Sequence, residues 1–92
     1  MSKHQPDDLE QAREFLTEVA HRLEVDPDIV LATMPHLLGM TKHVAHDVVR
    51  PAAPLAAFLV GLAAGRDADA VGVLAQVEKV EATVKEFADG QN

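Results

Sequence analysis

Three side chains that commonly bind metal ions lie close together in the segment KHVAHD, residues 42–47. His43, His46 and Asp47 stand at positions i, i+3 and i+4, which places them on one face of an α-helix. Two imidazoles and one carboxylate are suitable ligands for zinc or iron. However, no second motif completes a coordination sphere, and a polar helix face needs no metal to explain it. We therefore favour an exposed polar face and predict no bound metal.

Other common catalytic groups find little support in the sequence. The chain contains no cysteine, which excludes thiolate catalysis, disulfides and cysteine-based zinc sites. No serine lies in a G-x-S-x-G turn, and no glycine-rich phosphate loop is present. The carboxylates fall on predicted outer helix faces or at helix caps. We expect neither enzymatic activity nor a cofactor.

A second candidate site lies at a corner where Pro51 and Pro54 turn the chain. If Pro54 is the first residue of a helix, the cap position is Ala53, which has no side-chain acceptor. The backbone N–H groups of Leu55 and Ala56 then lack a local partner. A helix start with such donors attracts anions.

Two side chains beside this corner fit an anionic ligand. Arg50 directly precedes the corner, and His46 lies one helical turn earlier. Together with the two amides they could hold a phosphate or a carboxylate. The alternative, which we favour, is that Arg50 covers the last carbonyls of its own helix or pairs with Asp47 or Asp26, while water or a carboxylate of the bundle satisfies the amides.

The charge balance of the chain argues against two classes of partner. The formal net charge is −7, and the eight basic residues are scattered. Nucleic-acid binding usually needs a basic stripe, and peripheral membrane binding a basic helix face. No apolar window reaches the 18 to 20 or so residues of a membrane span, and the polar start lacks the apolar core of a signal peptide. We expect an acidic cytoplasmic protein that binds neither nucleic acid nor membrane.

Apolar residues recur at helical spacing along the whole chain, and no alternating strand pattern occurs. Proline and aspartate start signals and glycine stop signals divide this pattern into five predicted helices. Asp7 and Glu10 form a capping-box pattern at the first, and Glu81 and Lys85 are predicted to pair on the last. The helices are predicted at residues 8–23, 27–34, 35–49, 54–64 and 68–88. The fold class is thus all-α: one domain, 1–92, forming a compact bundle of four main helices plus one short helix, frayed at 1–6 and 89–92.

The predicted helix at 54–64 is apolar all round, which favours a buried central position in the bundle. One side is bulky and the other carries the small residues Ala57, Gly61 and Ala64. This small-residue stripe admits two interpretations: tight packing inside the monomer, or the seam of a homodimer. Because the other helices are amphipathic, we favour internal packing.

The segment VAHDVVRPAAPLAAFLVGLAAG, from Val44 to Gly65, resembles the signature of a small uncharacterised bacterial helical domain family. Members occur alone or fused to molybdenum cofactor guanylyltransferase, and are often labelled molybdopterin-guanine dinucleotide biosynthesis proteins. An acidic residue is usual in this family where the present chain has His43. The matching residues are Ala45, His46, Val48, Arg50, Pro51, Ala52, Ala53, Pro54, Leu55, Phe58, Leu59, Gly61, Leu62 and Gly65.

The resemblance implies one function and the residue pattern leaves another open. The first is an accessory or interaction domain linked to molybdenum cofactor biosynthesis, binding a biosynthetic enzyme or an anionic ligand at His46 and Arg50. The resemblance does not imply guanylyltransferase activity, because the chain lacks the glycine-rich nucleotide loop. The alternative is a homo-oligomerisation or protein-docking module without a small-molecule site.

Overall fold

The computed structural model describes residues 6–90, which are helical throughout except for three connections. The predicted all-α class is confirmed for this part of the chain. The predicted capping box involves the Asp7 side chain, which lies outside the described part, as do residues 1–5 and 91–92. No helix within the described range has the length and hydropathy to cross a bilayer. The helices are α1 (Pro6–Arg22), α2 (Pro27–Asp47), α3 (Ala52–Ala64) and α4 (Ala70–Gly90).

The chain divides into two units, with the boundary between Ala32 and Thr33. In the first unit, α1 ends in a tight reversal: the Val25 N–H donates to the Ala20 carbonyl at 2.8 Å, and the Glu24 N–H donates to His21 at 3.1 Å. This is the Schellman arrangement, with Glu24 at a φ of 60° where glycine is usual. Asp26 then caps α2 by accepting the Asp28 N–H at 2.9 Å, as predicted.

The predicted short helix at 27–34 is wrong, because α2 continues through Pro35. Proline in a helix interior costs about 3 kcal/mol, since it removes a hydrogen bond and crowds the preceding turn. The positions around Pro35 offset this cost by burial: Thr33 and Met34 precede it, and Met40 follows with no exposed surface. The proline therefore remains inside one helix and does not separate two.

The second unit builds its core from α2, α3 and α4. One cluster contains Met40, Val60 and Val77, with one residue from each helix. The other cluster contains Val44, Ala53 and Val84, again one from each helix. Neither cluster contains a phenylalanine, because Phe15, Phe58 and Phe87 are all exposed.

The helix α3 is not the buried central helix that the sequence predicted. Its small side packs inward, with Ala53 and Val60 buried. Its bulky side points outward: Leu55, Phe58, Leu59 and Leu62 are 63%, 61%, 60% and 63% exposed. The helix thus packs through its smaller side chains, and the bulky residues lie on the opposite side.

The ends of α3 and α4 follow local signals. The Gly65 N–H donates to the Gly61 carbonyl at 3.1 Å, and Gly65 takes a φ of 89°, so the predicted glycine stop is confirmed. Asp69 caps α4 by accepting the Gly72 N–H at 2.9 Å. The predicted start of α4 at Ala68 is thus two residues early, and the helix runs on through Gly90.

Candidate interaction surface

The predicted anion site lies at the corner between α2 and α3. Both His46, in the last turn of α2, and Arg50, in the following turn, are exposed. Within the described part of the second unit, neither side chain makes a hydrogen bond or ion pair, so the predicted pairing of Arg50 with Asp47 is not formed, and its pairing with Asp26 stays a prediction. The binding role of these two side chains stays a prediction.

The backbone of the corner differs from the prediction, because α3 begins at Ala52 and not at Pro54. The Ala52 N–H donates to the Val49 carbonyl and the Ala53 N–H to the Arg50 carbonyl, each at 3.1 Å. The N–H groups of Leu55 and Ala56 are then the fourth and fifth of the helix, which in an α-helix face the carbonyls of Pro51 and Ala52. Any anion at this corner would have to be held by side chains.

The His43 side chain bridges two helices. Its Nδ1 lies 2.8 Å from Oε1 and 3.0 Å from Oε2 of Glu81 on α4. A carboxylate only accepts, so Nδ1 carries the donated proton. Glu81 therefore contacts His43 and not Lys85, contrary to the prediction. Among the described residues, no group of three or more histidine, aspartate or glutamate side chains is arranged to hold a metal ion.

The most prominent surface feature is the outward face of α3, defined here as Leu55, Phe58, Leu59 and Leu62. These four positions follow i, i+3, i+4, i+7 spacing and form one stripe along the helix. The segment from Pro51 to Gly65 contains no charged residue. The stripe is therefore a continuous apolar surface without a charge inside it.

The small-residue stripe divides between the inside and the outside of the unit. Ala57 is half-buried and packs against the cluster of Met40, Val60 and Val77, and Ala64 is also half-buried. Gly61 is exposed, and a Cβ added there would meet nothing within 4 Å. The helical spacing alone could not separate these residues, because it gives no reference direction on a helix that is apolar all round.

An apolar groove of about 370 Å³ lies beside the outward face, between α3 and α4. Buried Val44, Val60 and Val84 line it from the core side, and Leu59 and Phe87 line it nearer to solvent. The polar residues that line the groove all lie on α4, and they are Gln76, Lys79 and Thr83.

One feature of the sequence could have indicated this groove. Lys79 has no acidic residue at three or four positions before or after it on α4, where an intrahelical partner would stand. Lys85, on the same helix, has Glu81 before it and Asp89 after it at that spacing. The groove itself depends on how the helices pack, which periodicity does not determine.

Within the described residues, the chain is thus an all-helical domain whose main surface feature is an apolar face on α3. It belongs to the family described as Domain of unknown function (DUF6457), which matches residues 7–92. No curated protein and no solved structure matches the chain. The match assigns the chain to a domain family of unknown function, and it contains no link to molybdenum cofactor guanylyltransferase.

Proposed function

We propose that this domain is a protein-interaction module that associates with a second copy of itself through the outward face of α3. The observation that carries the proposal is the exposure of about 60% of each of its four bulky side chains. Exposed apolar patches of this kind commonly mark interaction surfaces on soluble proteins. The helix also supplies no charge that a partner would have to desolvate.

The size of the face predicts a weak dimer. Full burial of a leucine or phenylalanine side chain is worth roughly 1.5–3 kcal/mol, so the exposed part of each offers about 1–2 kcal/mol. In a two-fold dimer each copy contributes four side chains, for a total on the order of 10 kcal/mol. Association costs about 4–15 kcal/mol. At the lower association costs the gain exceeds the cost by about 4–8 kcal/mol, so we expect association in the micromolar to millimolar range.

Charge favours this geometry for a second copy. Two chains of net charge −7 repel each other, but residues 51–65 carry no charge. A two-fold contact centred on α3 keeps the acidic residues of both copies away from its middle. The remaining repulsion is long-ranged and screened by salt. Added salt should therefore strengthen the dimer.

Sedimentation velocity over a concentration series tests the proposal. We expect the weight-average sedimentation coefficient of the wild-type chain to rise between about 10 μM and 1 mM. Phe58→Glu should remain monomeric throughout that range. Val71→Glu is the matched control, because Val71 is 75% exposed but lies on α4, outside the outward face. Equal association of wild type and Phe58→Glu would refute the proposal.

The resemblance in residues 44–65 carries a second candidate partner for the same face. Leu55, Phe58, Leu59 and Leu62 all belong to the matching pattern, so we propose that this face also docks an enzyme of molybdenum cofactor biosynthesis in the cytoplasm. Calorimetric titration with a guanylyltransferase tests it. We expect binding by the wild type and by Val71→Glu, and none by Phe58→Glu. Absence of heat with the wild type would remove this candidate and leave self-association untouched.

A further inference from the structure

We propose that the groove between α3 and α4 is a binding site for an amphiphilic carboxylate, a molecule with an apolar chain and one anionic end. The groove has an apolar core side formed by Val44, Val60 and Val84. Lys79 is the charged residue that lines it, and no aspartate or glutamate does so among the described residues. The groove borders the face proposed above for self-association, and Leu59 belongs to both.

The charge of Lys79 selects an anionic ligand. The chain as a whole is strongly acidic, so a lining with one cation and no anion is locally opposite to the rest of the molecule. Within residues 6–90, the Lys79 side chain makes no ion pair. A lysine beside apolar surface lays its carbon chain on that surface and keeps its ammonium at the edge. An anionic head group would reach the ammonium there while its apolar chain follows the groove.

The polar atoms of the groove lie in a line. Gln76, Lys79 and Thr83 stand at i, i+3 and i+7 on α4, which is one stripe of that helix. The Thr83 hydroxyl donates its proton to the Lys79 carbonyl at 2.8 Å. The oxygen of that hydroxyl remains available as an acceptor. The opposite wall, from α3, is purely apolar. The ligand must therefore be polar on one side or end only.

The volume of the groove suits a small ligand. Small-molecule sites typically occupy about 300–1,000 Å³, and the groove of about 370 Å³ is at the lower end. A single alkyl chain with a carboxylate matches both the volume and the charge.

The experiment is a titration of the full chain with sodium decanoate, followed by methyl and amide NMR. It is performed with Phe58→Glu as background, so that the outward face does not associate. We expect saturable shifts at Val44, Val60 and Val84 with a Kd below about 1 mM. Decylammonium, which has the same chain and the opposite charge, should bind at least about tenfold more weakly.

Matched lysine variants complete the test. Lys79→Met should weaken decanoate binding at least about tenfold, whereas Lys85→Met on the same helix should leave it unchanged. Both lysines are exposed, so folding should be retained in each variant, as circular dichroism checks. The proposal is overturned if decanoate gives no saturable shift, if decylammonium binds as well, or if the two lysine variants behave alike. It is also overturned if the groove residues of the wild-type chain shift with protein concentration, through self-association, but not with added decanoate.

Discussion

The two sides of α3 differ in side-chain size, and this difference decides which side is buried. The inner side carries Ala53, Ala57 and Val60, which pack against α2 and α4. The outer side carries larger and more hydrophobic residues that remain exposed. Hydrophobicity alone would have placed the leucines inside. In α3 the smaller side chains nevertheless occupy the inner side, where they pack against residues of α2 and α4. Side-chain hydrophobicity therefore does not by itself determine which side of this helix is buried.

The largest expected change in the free energy of unfolding comes from a charge on the inner side of α3. The same charge on the outer side should have little effect. Val60→Asp should lower the free energy of unfolding by more than about 3 kcal/mol, because it buries an unpaired carboxylate. Leu59→Asp, one residue earlier and 60% exposed, should change it by less than about 0.5 kcal/mol. Urea unfolding followed by circular dichroism measures both. Similar losses in the two variants would mean that α3 is buried all round.

Alanine substitutions at the same two positions allow the comparison if Val60→Asp does not fold. Val60→Ala should cost about 2 kcal/mol, because it removes two buried methyl groups and leaves a cavity. Leu59→Ala removes more atoms but from an exposed position, so its cost should be under about 1 kcal/mol. A larger loss for Leu59→Ala than for Val60→Ala in the same urea assay would reverse the assignment of the two sides.

Added volume tests the close packing on the inner side. Ala53 is 8% exposed and lies in the cluster with Val44 and Val84. Ala53→Leu should therefore destabilise the domain by about 1–3 kcal/mol through overpacking. Ala63→Leu serves as the control, because Ala63 is exposed on the same helix and has room for the larger side chain. Thermal unfolding should show a lower Tm for the first variant only.

The smallest expected change in the free energy of unfolding is at Gly61, where a substitution should stabilise the domain. Its added Cβ would meet nothing within 4 Å, and glycine in a helix interior costs about 0.5–1 kcal/mol relative to alanine. Gly61→Ala should thus stabilise the domain by that amount in urea unfolding. Gly65→Ala is the contrasting control, because Gly65 has a φ of 89° and alanine there is strained. A destabilised Gly61→Ala would place this position against a neighbour.

The sequence predicted what depends on local chemistry. Asp26 and Gly65 acted as the cap and the stop that their types indicated, because both signals operate within a few residues. Pro35 did not end its helix, since the burial of Thr33, Met34 and Met40 outweighed its local preference. This balance depends on tertiary packing, so it cannot be deduced from Pro35 and the residue before it alone.

The candidate site was less predictable than the fold. The sequence shows that the residues of the outward face are apolar. Because α3 is apolar on all sides, however, its periodicity does not indicate which side packs against the core. The corner at Pro51 illustrates a smaller error of the same kind: a two-residue shift of the helix start moved the Leu55 and Ala56 amides from free donors to positions inside α3. The His43–Glu81 contact joins residues 38 positions apart, beyond any local rule.

Isotope-filtered NOE spectroscopy detects whether the outward face of α3 contacts the same face of a second copy. A sample mixes ¹³C-labelled and unlabelled chains at millimolar concentration, so that only contacts between copies give signals. We expect NOEs from the Leu59 and Leu62 methyl groups of one copy to the Phe58 ring of the other. Intermolecular NOEs confined to residues outside α3, or a concentrated sample with none at all, would contradict this expectation.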